Sequence, residues 1–152
     1  MRVTAKADYA VRAAIELVGA SEDAPRKADS IAVAQGIPPS FLENILNQLK
    51  SAGIVRSQRG PEGGWWLLRA PETLTLADVI RAVEGPLASV RGGPPEDASY
   101  GGAATTLPQV WIAVRANLRR VVEHVTVADI ANSKLPKSIE KLTEDPGAWV
   151  TR

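Results

Sequence analysis

The sequence predicts a mainly α-helical chain with one small β-hairpin and a long helix towards its C-terminus, and three observations carry that reading. Apolar residues recur at helical spacing in three runs before residue 52. Two short strand-like runs then flank the turn Gly60-Pro61-Glu62-Gly63-Gly64. Between Leu107 and Val125 an apolar residue returns at steps of four, three, four, three and four, which is a heptad seam.

The first run, Thr4 to Ala20, places Ala7, Val11, Ala14, Ile15 and Val18 on one helix face and Lys6, Arg12 and Glu16 on the other. Ser21, Asp23 and Pro25 end it. The next stretch, KADSIAVAQGIPPSFLENILNQLKSAG, divides at Gly36 into a short helix, a tight turn and a longer helix. Gly36 suits a left-handed closing position and Pro39 the first turn of the second helix. Phe41, Leu42, Ile45, Leu46 and Leu49 form its expected buried stripe, with Ser40, Glu43, Asn44, Asn47 and Lys50 left polar, and Gly53 stops it. Strands over 54–58 and 65–69 complete a winged helix-turn-helix.

Beyond the hairpin, Thr75 and Asp78 have capping-box spacing ahead of LADVIRAVE, which Gly85 and Pro86 end. A long Gly-, Pro- and Ala-rich loop follows, in which Glu96 and Asp97 are expected to be solvated. The heptad helix then runs from Pro108 to about Val125. Its narrow stripe of Trp111, Val114, Leu118, Val121 and Val125 favours packing against its copy in a second subunit. A short helix over 127–132 and a weakly ordered tail from Lys134 close the chain. The expected organisation is a DNA-binding unit at 1–87, a flexible loop at 88–107, a dimerisation helix with its short successor at 108–133, and a tail at 134–152.

Composition removes several function classes. No run reaches the roughly 18 apolar residues of a membrane span, and the N-terminus lacks the apolar stretch of a secretory signal, so a soluble, cytoplasmic protein is expected. There is no cysteine and a single histidine, His124, placed on the last turn of the long helix. Neither metal ligands, cofactor nor catalytic residues are therefore expected. GPEGG is not a phosphate loop, because it lies in a hairpin and lacks the Lys-Ser/Thr continuation. Net charge is only +1, and residues 1–70 hold nine basic against seven acidic side chains. Nucleic-acid binding must then rest on where particular cations fall.

Those positions are specific. A recognition helix meets base edges with its N-terminal polar residues, here Ser40, Glu43 and Asn44. Glu43 can accept from cytosine and Asn44 can pair with adenine. Arg59 at the wing turn suits a minor groove or a phosphate, and Lys50, Arg56 and Gln58 suit the backbone. Trp65 and Trp66, adjacent in a strand, must face opposite ways. Together with Trp111 they are the candidate lining of an effector pocket.

The runs DYAVRAAIELV, IAVAQGIPPSFLENILNQLKSAGIVRSQRGPEGGWWLLR and LTLADVIRAVEGP resemble the Rrf-two family of bacterial winged helix-turn-helix regulators over roughly residues 3–87. Gly36-Ile37, Phe41 to Leu46, Arg59-Gly60, Gly63-Gly64 and Val83 to Pro86 carry the likeness. The resemblance implies a homodimer on a palindromic operator in double-stranded DNA. It also implies three loop cysteines holding an iron–sulfur cluster, and Gly92, Ala98 and Ala104 stand at that spacing without ligand atoms. Asp8, which assists the cluster in some members, is read here as an ordinary helix residue. A cluster-free repressor sensing a small molecule is the favoured reading. The alternatives are control by a partner protein, or a cluster sensor whose cysteines have been substituted. Pro38 and Phe41 depart from the family's usual Ser or Thr cap and tyrosine.

Overall fold

The computed structural model describes residues 2–151. Helix α1 spans Ala5–Glu16, begun by the Thr4 hydroxyl, which accepts from the Ala7 amide at 3.0 Å. Its buried face is Ala7, Ala10, Ala13 and Ala14, continued by Leu17, whereas Val11, Ile15 and Val18 are only half-buried. The expected stripe is thus rotated towards the alanines, whose small side chains let α1 lie close against the helices it packs on, described below. Helix α2 (Ala28–Gln35) closes on Gly36 at φ 60°, a conformation a Cβ would disfavour. Helix α3 (Pro39–Ser51) begins with a proline in its first turn, and Pro38 at its N-cap offers no side-chain acceptor.

Leu42, Ile45, Leu46 and Leu49 of α3 are buried, but Phe41 is 59% exposed, a correction to the expected stripe. Successive helical residues are about 100° apart, and the row from Leu42 to Leu49 already fills the core. Phe41 falls at its margin, edge-on to Tyr9 with centroids 6.4 Å apart. Arg12 fastens α1 to the C-terminal end of α2, donating to the Gln35 carbonyl at 2.6 Å and pairing with Asp8 at 2.7 Å. Cations are favoured at such a carbonyl-rich end.

Strands β1 (Val55–Gln58) and β2 (Gly64–Leu67) pair antiparallel, with Arg56 opposite Trp66 and Gln58 opposite Gly64. They are slightly shorter than expected. Arg26 extends the sheet through two backbone bonds with Trp65, at 2.9 and 2.8 Å. A Cβ on Gly64 would stand 2.6 Å from the Arg26 carbonyl oxygen, and one on Gly63 2.2 Å from that of Gln58. The paired glycines are what let the wing close.

Helix α4 (Leu76–Glu84) carries the expected capping box of Thr75 and Asp78, and α1 packs on both α3 and α4. Helix α5 spans Leu107–Val122 and α6 spans Val127–Ala131, the latter begun by a second capping box, Thr126 with Asp129. Val125 lies beyond the end of α5 and is 3% exposed. Its carbonyl accepts from the Leu76 amide, and the Val127 amide donates to the Leu74 carbonyl, each at 2.9 Å. Val125 therefore leaves the heptad seam, because its backbone is held against the start of α4 and its side chain joins the protomer's own core. His124 likewise lies past the helix cap.

Two further expectations change. The segment before α5 contains short 3-10 turns at Pro95–Asp97 and Gly102–Ala104. Pro95 is buried, and Glu96 pairs with Arg115 of α5 at 2.6 Å instead of being merely solvated. A bond from its own backbone amide, and then Arg115, hold the Glu96 carboxyl below its ordinary range. The tail is also structured, forming α7 (Lys137–Thr143) and a 3-10 turn over Pro146–Trp149. Trp149 donates its indole N–H to the Thr143 carbonyl at 2.7 Å.

Candidate nucleic-acid interface

Because the apolar row of α3 faces inward, the opposite row must face out. Ser40, Glu43, Asn44, Asn47, Gln48 and Ser51 line one polar surface. Gln48 donates through Nε2 to Asn44 Oδ1 at 2.8 Å. That i, i+4 contact orients the Asn44 amide and leaves its Nδ2 hydrogens unused by Gln48. Sequence reasoning missed Gln48, although its position four residues after Asn44 was the available signal.

The wing cations differ in how they are held. Lys50 donates to the Ser57 hydroxyl at 2.8 Å and stands 5.9 Å from the Trp65 ring centroid, so it ties α3 to the wing. Arg56, Gln58 and Arg59 are exposed, and neither arginine has a carboxylate partner among the described residues. Arg59 stands on the turn itself. Arg26 is different, since it pairs with Glu16 at 2.5 Å and anchors the wing from behind.

The three tryptophans of the candidate pocket do not converge. Trp66 is buried, and Trp65 is half-buried on the opposite strand face, lining a cavity beside α2 and α3 without the other two. Trp111 lies on α5, where its indole nitrogen is buried with no hydrogen-bond partner among the described residues. No residue of α5 is buried. Trp111, Val114, Leu118 and Val121 are half-covered, and Val110 is 51% exposed. Leu118 and Val122 also line an apolar groove with Val3, Ile80 and Leu87. Sixteen residues with this much apolar surface and no buried member make an incomplete packing arrangement for one protomer.

At the cluster position, Gly92, Ala98 and Ala104 offer no thiolate, imidazole or carboxylate. Asp8, read from the sequence as an ordinary helix residue, is paired with Arg12. Among the described residues no three His, Cys, Asp or Glu side chains are grouped to hold a metal, so the donor set does not fit an iron–sulfur cluster. No described helix is long and apolar enough to cross a membrane.

A short helix, a tight turn, a polar-faced helix and a two-stranded wing define the class of winged helix-turn-helix DNA-binding proteins. The family model for Rrf2, described as iron-dependent transcriptional regulator, matches residues 3–133, and the chain belongs to that family. It is 47% identical over 145 residues to the HTH-type regulator Rv1287 of Mycobacterium tuberculosis, covering 95% of this chain and 90% of that one. It is 30% identical over 132 residues to CymR of Bacillus subtilis, covering 87% and 91%. The solved structure of CymR, the global cysteine regulator of B. subtilis, superposes with a TM-score of 0.73 at 27% identity, over 89% of this chain and 99% of the other. That of T. potens IscR gives 0.67 at 27% identity, over 100% and 93%. The protein is thus a DNA-binding transcriptional regulator, and its relatives are regulators and not enzymes.

Proposed function

We propose that the chain acts in the cytoplasm as a homodimeric repressor on a palindromic operator and responds to a signal other than an iron–sulfur cluster. The observation that carries this reading is the uncovered apolar face of α5 beside an intact winged helix. Burying Trp111, Val114, Leu118 and Val121 against the same residues of a second copy would complete both cores and set two recognition helices about one DNA turn apart. Ser40, Glu43 and Asn44 then read base edges, while Lys50, Arg56, Gln58 and Arg59 hold the backbone and flanking minor groove.

Selection of bound fragments from a random duplex pool by the purified protein tests this. An enriched palindrome with half-sites one helical turn apart is the expected result. A non-palindromic motif, or none, would count against the dimeric reading.

One observation favours control by a partner protein as the second reading. The ordered tail exposes Leu142 at 57%, Trp149 at 76% and Val150 at 60%, an apolar surface of the kind proteins use for docking. Operator selection by a chain lacking residues 134–152 separates the two: an unchanged motif and affinity leaves the tail free for such a partner.

A further inference from the structure

We propose that the cavity between α2, α3 and β2 binds a small organic cation with an apolar body. This deepens the reading of a regulator with a non-cluster signal, by giving that signal a chemistry. The cavity holds about 410 Å³, within the range of small-molecule sites. Its accessible apolar surface comes from Ala28, Pro39 and the ring of Trp65, over a floor of the buried Ala32, Leu42 and Leu46, and its charged members are Asp29 and Glu43.

The charge pattern selects the ligand. Among the described residues no lysine or arginine lines the cavity, so a phosphate or carboxylate would find no counter-charge from them there. Neither Asp29 nor Glu43 has an ion pair among the described residues, and two uncompensated carboxylates beside an indole face favour an ammonium or similar cation. Trp65 already accepts a cation, Lys50, which does not line the cavity. The apolar wall calls for a hydrocarbon body on that cation. Because α3 and β2 both border the site, a ligand there touches the recognition helix and the root of the wing together.

Titrating ¹⁵N-labelled full-length protein with benzylammonium, and separately with neutral benzyl alcohol, tests the proposal. The Trp65 indole N–H signal, assigned by its loss in Trp65→Phe, is expected to shift saturably with benzylammonium. Binding should be about tenfold weaker for benzyl alcohol and in an Asp29→Asn/Glu43→Gln double variant, since two partly exposed charge contacts are removed. No saturable shift, or equal affinity for the charged and neutral probes, would overturn it. The probe comparison in the unaltered chain holds even if the double variant misfolds. No DNA is present, so failure here leaves the operator reading standing, and failure of the operator selection leaves this site untouched.

Discussion

Arg59 and Glu43, as proposed DNA contacts, would represent two kinds of contact that a protein makes with DNA. Arg59 is exposed and has no carboxylate partner among the described residues, so its charge is available to a phosphate or a narrow groove. Removing one such contact lowers the slope of log affinity against log salt by about 0.9. Arg59→Ala is therefore expected to weaken operator binding several-fold at moderate salt and to flatten its salt dependence. Equal titrations of variant and parent would remove the wing from the interface. Glu43 is proposed instead to select among bases, and a good base contact discriminates by about 1–3 kcal/mol. Glu43→Ala should broaden the selected motif at one position per half-site more than it lowers overall affinity, and an unchanged motif would show that Glu43 reads no base. The sequence proposes both residues from their place in the motif, and the structure places both on exposed surface. Gln48 is legible only as an i, i+4 neighbour of Asn44, because whether the two amides meet depends on side-chain direction as well as on residue type.

At the scale of elements, the joints are tighter than the linear pattern implies. Burial raises the Asp78 carboxyl, but the Thr75 backbone bond and Arg69 at 2.9 Å outweigh it and hold the group below its ordinary range. A depressed pKa contributes stability above the unfolded value, and that contribution is lost as pH falls through the folded one. Asp78→Asn should cost about 1 kcal/mol near neutrality, typical of a cap. The difference in chemical-denaturation midpoint should shrink below about pH 4, and a constant difference down to pH 2 would mean the charge is irrelevant. The wing gives a steric counterpart. Gly63→Ala places a methyl 2.2 Å from the Gln58 carbonyl oxygen, so the hairpin must shift. DNA affinity is expected to fall at least as far as in Arg59→Ala while helical circular dichroism is retained. Both features were legible, the cap from its spacing and the turn from its glycines. The second cap at Thr126 and Asp129 escaped notice because it starts so short a helix.

At the scale of the whole molecule, the open question of the single protomer is α5. Leu118→Glu puts a charge in the centre of its apolar seam, and burying an unpaired charge costs several kcal/mol. Monomers in sedimentation and loss of palindrome binding are expected, whereas a persistent dimer would move the interface elsewhere. Val125 makes the matching control. It is buried in the protomer, so Val125→Glu should lower stability and not oligomeric state alone.

The sequence by itself determined what periodicity and turn chemistry encode: the helix-turn-helix around Gly36, the hairpin around Gly63, the cap at Thr75 and the class of protein. These signals are local, set by backbone sterics and by which side of a helix or strand is apolar. Only the tertiary structure decided which members of each pattern are used. Heptad spacing cannot show that α5 ends at Val122, because Val125 is drawn away by hydrogen bonds to the start of α4, some fifty residues earlier in the chain. Strand alternation separates Trp65 from Trp66, but the sequence cannot show that the three tryptophans of the candidate pocket lie apart, with Trp66 buried, Trp65 beside α2 and α3, and Trp111 on α5. Nor can it bring Asp29 and Glu43 to one cavity, since that juxtaposition exists only when α2 packs against α3 and the wing.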